Sequence, residues 1–405
     1  MTTFVIVGGG LAGAKAAETL REEGFDGAVV LFGTELERPY ERPPLSKGYL
    51  QGNDERESVF VHPEQWYAEH DVDLRAGVTV DAIDPAGHTV AFGGQTQSYD
   101  KLLLATGASA RQIDIPGTDL DGVFYLRTLG DSERLRSSLG GGRRVVVIGA
   151  GWIGLETAAA ARQAGGSVTV VEPQPAALLA ALGPELGGMF TDLHRSRGVQ
   201  FRFGETAKEI HGDAARRVGS VVTSDGTVVP ADVVVIGVGA VPNDRLASAA
   251  GLEVSGGVLA DAALRTSDPD IYAAGDVANW FNPLFGRRIR VEHWGNALIG
   301  GPAAARSMLG KNVTYDPVPY FYSDQYDLGM ECAGLPSPGS YDQVVYRGDR
   351  EGMEFIAFWL SGGRLVAGMN VNVWDVTDDI QALIRSGREL DAGRLTNPEI
   401  PLPEV

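Results

Sequence analysis

Short apolar runs alternate with helix-like stretches from the start of the chain to about Val318. Val5–Gly8 and Ala28–Phe32 have the length and solid apolar character of buried strands, and Ala12–Glu23 between them has helical texture. A strand, a helix and a strand in that order predict a βαβ unit and hence a parallel sheet. The pattern returns with Val145–Gly149, the alanine-rich Gly154–Ala164 and Val168–Glu172, and further apolar strands are predicted at Lys101–Ala105 and Asp232–Val238. The block "DLDGVFYLRT" (119–128) reads as the link between the two units. After Val318 the texture changes to aromatic and alternating segments, "VVYRG", "EFIAFWL" and "RLVAGMNV", which suit an antiparallel sheet. A helix is predicted at Thr377–Ser386, and the proline-rich tail "NPEIPLPEV" is expected to be extended.

Each βαβ unit carries a glycine cluster at its first turn. In "FVIVGGGLAG" (4–13) the glycines are Gly8, Gly10 and Gly13; in "RRVVVIGAGWIGLE" (143–156) they are Gly149, Gly151 and Gly154. The first permits the tight turn, the second lets backbone approach a pyrophosphate, and the third lets helix and strand pack closely. The helix N-terminus then offers free N–H groups and a partial positive charge. An acid follows each second strand: Glu35, 22 positions after Gly13, and Glu172, 18 positions after Gly154, where a carboxylate can bind a ribose. A carboxylate at 172 accepts from a free 2′-hydroxyl and repels a 2′-phosphate. No arginine follows it in Pro173, Gln174 and Pro175, so the second site is expected to take NADH rather than NADPH. Two dinucleotide sites in one chain predict a resident flavin, FAD, and a visiting nicotinamide. NADH delivers two electrons together as hydride, and a flavin can accept them and release them singly.

Bulk properties narrow the class further. A chain of 405 residues suggests two or three domains. No apolar run approaches the roughly 18 residues of a membrane span, and no basic stretch with a cleavage site precedes Phe4, which points to the cytoplasm. The formal charge of −19 argues against nucleic acid or an anionic membrane as partner. The lone cysteine, Cys332, reads as an inert core residue and excludes chemistry that needs a redox-active cysteine pair. No metal site is expected, because His62, His70, His88, His194, His211 and His293 have no ligand spacing. The first five read as ordinary surface or turn residues; His293 adjoins Trp294 and is a candidate for the flavin region.

Beyond the fingerprints, the segments "YERPPLSKGYL" (40–50), "YDKLLLATGA" (99–108), "YLRTLGD" (125–131), "TSDPDIYAAGDVA" (266–278), "EHWGNAL" (292–298) and "YFYSDQYDLG" (320–329) carry a resemblance over nearly the whole length. The chain resembles the FAD-dependent pyridine nucleotide reductases, and within them the ferredoxin reductases of the putidaredoxin reductase type, which feed bacterial cytochrome P450s and ring-hydroxylating dioxygenases. The implied fold is α/β: two Rossmann-like domains arranged as in glutathione reductase, plus a C-terminal α+β interface domain. The implied boundaries are 1–110 with 236–318 for the FAD domain, 111–235 for the NAD domain and 319–405 for the interface domain. The implied activity is hydride transfer from NADH to FAD, then single-electron transfer to a two-iron two-sulfur or related ferredoxin.

The resemblance also assigns roles. Lys47 would lie beside the flavin N5 edge, paired with Glu156, where a fixed cation stabilises electron-rich reduced flavin. Glu156 would also receive the nicotinamide amide. FAD contacts are implied at Gly8, Gly10, Ala12, Gly13, Arg42, Val80, Ala105, Thr106, Gly107, Arg127, Gly275, Asp276, Glu292, His293 and Trp294. Asp276 would bond the ribityl chain, and the helix starting at Gly295 would point its positive end at the flavin pyrimidine. NAD contacts are implied at Gly149, Gly151, Ile153, Gly154, Glu156, Glu172, Gly237, Val238 and Gly239. Two departures stand out. Thr34 occupies the family's FAD-ribose acid position, so the ribose falls to Thr34 or to Glu35. Tyr320 and Tyr322 stand where relatives often carry tryptophans near the electron exit. The basic run "GRRIR", with Arg287, Arg288 and Arg290, offers a patch for an acidic ferredoxin or else a solvated loop. The rival readings on the same fold are an NADH oxidase or small-molecule reductase, and a redox sensor resembling apoptosis-inducing factor.

Overall fold

The computed structural model describes all residues from Met1 to Val405. They form two compact units: residues 1–41, 56–109 and 240–319, and residues 42–55, 110–239 and 320–405.

In the first unit five parallel strands run in the order Ile271–Ala273, Lys101–Leu104, Thr3–Val7, Ala28–Gly33, Val72–Ala76. Val5, Ile6, Leu31, Leu102 and Leu103 are all buried, as a sheet covered on both faces requires. The winding reverses at the central strand Thr3–Val7, so the turn after it opens at a topological switch point, the usual ligand crevice of such sheets. The helix Leu11–Glu22 leaves from that turn and packs on the helix Trp294–Met308. The approach is close: a Cβ on Gly301 would stand 2.2 Å from the Ala12 carbonyl oxygen. This is a packing reason for the small residues at both positions.

The second unit repeats the plan with strands Gln200–Phe203, Ser167–Glu172, Arg144–Ile148, Val233–Ile236 and Val123–Tyr125, again all parallel. Here too the winding reverses at the fingerprint strand. Val123–Tyr125 lies inside the block read from sequence as a link. It is an edge strand instead, because Val123, Phe124 and Tyr125 pair with Val234–Ile236. Residues after 319 form a five-stranded antiparallel sheet ordered Tyr320–Gln325, Leu328–Gly334, Arg364–Val371, Glu354–Ser361, Gln343–Asp349. The helix Thr377–Ser386 follows as expected. The tail is not simply extended: it turns at Leu402–Glu404 and buries Leu402 and Val405, the apolar residues that its prolines leave free to pack. No helix is long and apolar enough to cross a membrane.

Two imidazoles, His194 fully buried and His293 half-buried, give the fold a pH signature. Burial pushes His194 and His293 each down to about 4, from an ordinary value of 6.5. Between those values the unfolded chain binds protons that the folded chain refuses. Stability is therefore fully present above pH 6.5 and is withdrawn as the pH falls toward 4. The midpoint of urea unfolding is expected to drop clearly between pH 7.5 and pH 5; an unchanged midpoint would show that these rings take up protons in the native state.

Candidate active site

The two fingerprints have the same internal logic. A Cβ on Gly8 would lie 2.0 Å from the Ala105 carbonyl oxygen, and one on Gly13 would lie 2.1 Å from the Gly8 carbonyl oxygen. In the second unit, a Cβ on Gly149 would lie 2.4 Å from the Gly237 carbonyl oxygen, and one on Gly154 would lie 2.2 Å from that of Gly149. Gly8 and Gly149 also have φ of +130° and +102°, which L side chains rarely adopt. These four glycines are demanded by the protein's own backbone. The middle ones are not. A Cβ on Gly10 or on Gly151 meets nothing within 4 Å. Each faces open space at the N-terminus of a helix, Leu11–Glu22 or Trp152–Gln163, with the N-cap glycine itself extended. That is the space a pyrophosphate needs, so the residues present fit a dinucleotide in each unit.

The residues expected at the riboses are held by hydrogen bonds. Glu172 Oε2 accepts the Ala150 N–H at 2.7 Å and Oε1 accepts that of Gln174 at 2.9 Å. Both oxygens keep a lone pair for ribose hydroxyls. Glu35 Oε2 accepts the Tyr40 hydroxyl at 2.5 Å, while the Thr34 hydroxyl accepts from Thr79 at 3.3 Å. Both candidates are thus held at the end of the strand Ala28–Gly33.

Lys47 and Glu156 do meet. The prolines of "RPPLSK" start a short 3₁₀ turn at Pro43–Ser46 that ends on Lys47. Three bonds fasten this loop to the helix Leu129–Leu139 and its cap: Ser132 Oγ to the Leu45 carbonyl at 2.8 Å, Tyr49 hydroxyl to Glu133 at 2.9 Å, and Arg42 to the Arg127 carbonyl at 2.5 Å. That helix carries a full capping box between Thr128 and Asp131. Glu156 sits within the first turns of the second fingerprint helix and is only 2% exposed. Its Oε1 accepts from Lys47 Nζ at 2.8 Å and Ser323 Oγ at 2.7 Å; Oε2 accepts from Ser46 Oγ at 2.5 Å. Three of the carboxylate's four acceptor positions are filled, leaving one on Oε2. The Tyr322 ring lies 5.2 Å from Lys47 Nζ, adding a cation–π contact. Tyr320 donates to Glu331 Oε1 at 2.7 Å, and burial raises its hydroxyl well above the usual value.

The other expected FAD residues fall into groups. Gly275 has φ +73° and opens a 3₁₀ turn that carries Asp276. Thr106 donates its hydroxyl to the Asn243 carbonyl at 2.8 Å, next to Ala105 and to Gly107, whose φ is +67°. His293 is the N-cap of the helix Trp294–Met308, one residue earlier than the expected start, and Trp294 Nε1 donates to Glu41 at 3.2 Å. Burial raises the Glu41 carboxyl. Val80 is packed into the core of its unit, so its side chain serves the fold. Among the NAD positions, Gly237 faces Gly154 across the fingerprint turn, Gly239 has φ +99°, Ile153 is exposed, and Val238 packs against an apolar cluster.

Cys332 is fully buried and its thiol is pushed up to about 12, so it carries no thiolate chemistry. The basic patch is smaller than the sequence suggests. Arg290 is ion-paired with Glu292 at 2.6 Å, and Arg288 spends donors on the Ala260 and Asn279 carbonyls.

The pyridine nucleotide-disulphide oxidoreductase family matches residues 2–301, and the reductase C-terminal family matches 320–405. The chain belongs to the pyridine nucleotide-disulphide oxidoreductases. One relative in this family is the ferredoxin–NAD(+) reductase component of the anthranilate 1,2-dioxygenase system of Burkholderia cepacia. It is 41% identical over 401 residues, covering 98% of each chain. Putidaredoxin reductase of Pseudomonas putida is 36% identical, over 99% of this chain and 96% of its own. The solved covalent complex of putidaredoxin reductase with putidaredoxin matches with a TM-score of 0.96 at 35% identity, covering 100% of this chain and 97% of that one. The oxidoreductase fold, with FAD and NAD(H) as cofactors, follows for this chain.

Sequence reasoning missed part of the site. Ser46 and Ser323 bond Glu156 directly, yet both were passed over inside recognised motifs. His194, read as a surface residue, is fully buried on the helix Pro184–Ser196, because that helix turns its Leu186, Phe190 and His194 face inward. The i, i+4 spacing of those three residues was the available signal.

Proposed function

We propose that this chain is a cytoplasmic, NADH-dependent ferredoxin reductase serving a cytochrome P450 or a ring-hydroxylating dioxygenase. Its FAD domain comprises 1–110 and 236–318, its NAD domain 111–235 and its interface domain 319–405. The observation that carries the reading is the pair of fingerprints whose middle glycines face open space, on a chain that shares its full length with ferredoxin reductases. The chemistry FAD would supply when bound is to accept two electrons together from NADH and release them one at a time.

The residues divide the work. Gly8, Gly10 and Gly13 with Thr34 or Glu35, Asp276 and the Trp294 region hold FAD. Gly149, Gly151, Gly154 and Glu172 hold NADH. Lys47 presents a fixed positive charge that favours the electron-rich flavin, and Glu156 holds that charge in place and offers its open acceptor position to the nicotinamide amide. No general base is required, since hydride transfer depends on alignment rather than on proton abstraction.

The deciding experiment is NADH-driven cytochrome c reduction with and without ferredoxins from the host. Dependence on one ferredoxin is the expected result. Rapid oxygen consumption without ferredoxin would favour an oxidase, and a long-lived reduced flavin with slow turnover would favour a sensor. Coenzyme choice is testable at Glu172. Glu172→Gln removes the charge that repels a 2′-phosphate, so the ratio of kcat/KM for NADH over NADPH is expected to fall by about tenfold. An unchanged ratio would place coenzyme selection elsewhere.

A further inference from the structure

The side chains that meet Glu156 continue into a buried polar chain. Gln325 Nε2 donates to Ser323 Oγ at 3.1 Å, and Gln325 Oε1 lies 2.8 Å from His194 Nε2. The Tyr326 hydroxyl lies 3.3 Å from His194 Nδ1. Gln325 sets the direction of the whole chain. An amide oxygen only accepts, so His194 carries its proton on Nε2 and leaves Nδ1 as acceptor for Tyr326. Ser323 receives the amide N–H, and its own proton goes to Glu156. With the amide reversed, Ser323 would have one proton for two acceptors, Gln325 Oε1 and Glu156 Oε1, so the carboxylate selects the observed orientation. Every donor from Tyr326 to Ser323 therefore points toward the same anion.

The placement is costly without a purpose. His194, Gln325 and Ser323 are all at most 1% exposed. Burying three polar side chains is unfavourable unless each is satisfied, and leucine-like residues would fill the space more simply. Two elements converge to build the chain. Ser323 and Gln325 are alternate, inward residues of the strand Tyr320–Gln325, and His194 projects from the helix Pro184–Ser196. Tyr326 follows in the hairpin turn with φ +59°, a conformation that a tyrosine adopts only under constraint.

We propose that His194 and Gln325 are positioning residues: they hold the Ser323 hydroxyl toward Glu156, keep that carboxylate in one orientation, and so fix the Lys47 ammonium. The inference rests on the ferredoxin reductase reading above for its kinetic consequence, but not for the chain itself.

Two measurements on the holoenzyme test it. The first is ¹⁵N NMR of the protein labelled at histidine, with the His194 signals identified by their loss in His194→Gln. A neutral Nε2–H tautomer at pH 7 is expected; an Nδ1–H tautomer or an imidazolium would overturn the proposal. The second is stopped-flow reduction of the flavin by NADH. In His194→Leu the limiting rate is expected to fall by about tenfold, with the NADH dissociation constant unchanged within about twofold. His194→Gln places an amide N–H where the imidazole had Nε2–H and is expected to restore the rate. Equal rates in all three proteins, or a loss that His194→Gln does not rescue, would overturn the positioning role. If His194→Leu does not fold, Gln325→Glu replaces it. Its carboxylate cannot donate to Ser323 and competes with Glu156 for the serine proton, so the same fall is expected, and an unchanged rate counts against the role. A wild-type holoenzyme that NADH does not reduce would defeat the functional reading, while the tautomer would still decide the chain.

Discussion

Lys47→Met is expected to slow the reduction of bound FAD by NADH by about a hundredfold, while the purified protein stays yellow. The magnitude is that of losing one preorganised charge from a reacting centre, about 2.7 kcal/mol. Lys47 is also the only cation that meets Glu156 in the structure. Removing it leaves a carboxylate of 2% exposure with two hydroxyl donors and no counter-charge. Breaking a buried pair from one side costs about 3–5 kcal/mol, so the variant is expected to melt earlier as well. The two effects separate in the double variant Lys47→Met with Glu156→Gln, which removes both charges. Its stability is expected to recover most of the loss, and its rate is not. Stopped-flow absorbance at the flavin band reads the rate, and thermal melting reads the stability. A single variant reduced as fast as the parent protein would remove Lys47 from the reaction.

Gly10→Val is expected to yield a folded protein that purifies without colour. The backbone at Gly10 has φ −102°, which any residue adopts, and the space beyond its Cα is open. The valine side chain would occupy the room left for the pyrophosphate, so flavin is lost and circular dichroism is kept. Gly151→Val, with φ −80° and the same open space, is expected to keep its flavin and to weaken NADH binding by tenfold or more, about 1.4 kcal/mol. Gly8→Ala and Gly149→Ala are controls of the opposite kind. Each drives a Cβ onto a carbonyl oxygen, at 2.0 Å and 2.4 Å, and each forces a strained φ, so both are expected to fail to fold. A Gly10→Val protein that stays yellow with ordinary flavin affinity would assign the flavin to some other site.

The two fingerprint variants test what was legible from spacing. Glycines at fixed offsets between an apolar strand and a helix have one physical meaning, because the turn, the phosphate approach and the helix packing each forbid a side chain at one position. The carbonyls of Ala105 and Gly237 that also bar a side chain come from distant parts of the chain. The positive φ at Gly8 and Gly149 and the close contacts of Gly13 with Gly8 and of Gly154 with Gly149 are local, spanning residues 8–13 and 149–154. The same holds for the strand order around each turn, since a crossover helix of that length admits a parallel, right-handed return.

The environment of Lys47 was legible only in outline. Its partner Glu156 came from a family resemblance, while Ser46, Ser323, Gln325 and His194 were invisible as a group. They come from three elements, a 3₁₀ turn, an edge strand of the antiparallel sheet and the helix Pro184–Ser196, and their bonds lead to Glu156 on a fourth, the fingerprint helix. The run "GRRIR" admits two readings from sequence, a patch for an acidic ferredoxin or a solvated loop. The fold engages two of its arginines: Arg290 pairs with Glu292, and Arg288 donates to the carbonyls of Ala260 and Asn279.

By itself, then, the order of residues decided that this protein has two glycine fingerprint turns, parallel sheets to carry them, and an acid at or just after each second strand. Those features depend on periodicity and on sterics between near neighbours. Only the tertiary structure decided which hydroxyls bond Glu156, that His194 is buried and which arginines are already engaged. The bonds from Ser46 and Ser323 to Glu156 and from His194 to Gln325 join side chains more than a hundred residues apart, and they depend on atomic positions that no local pattern encodes.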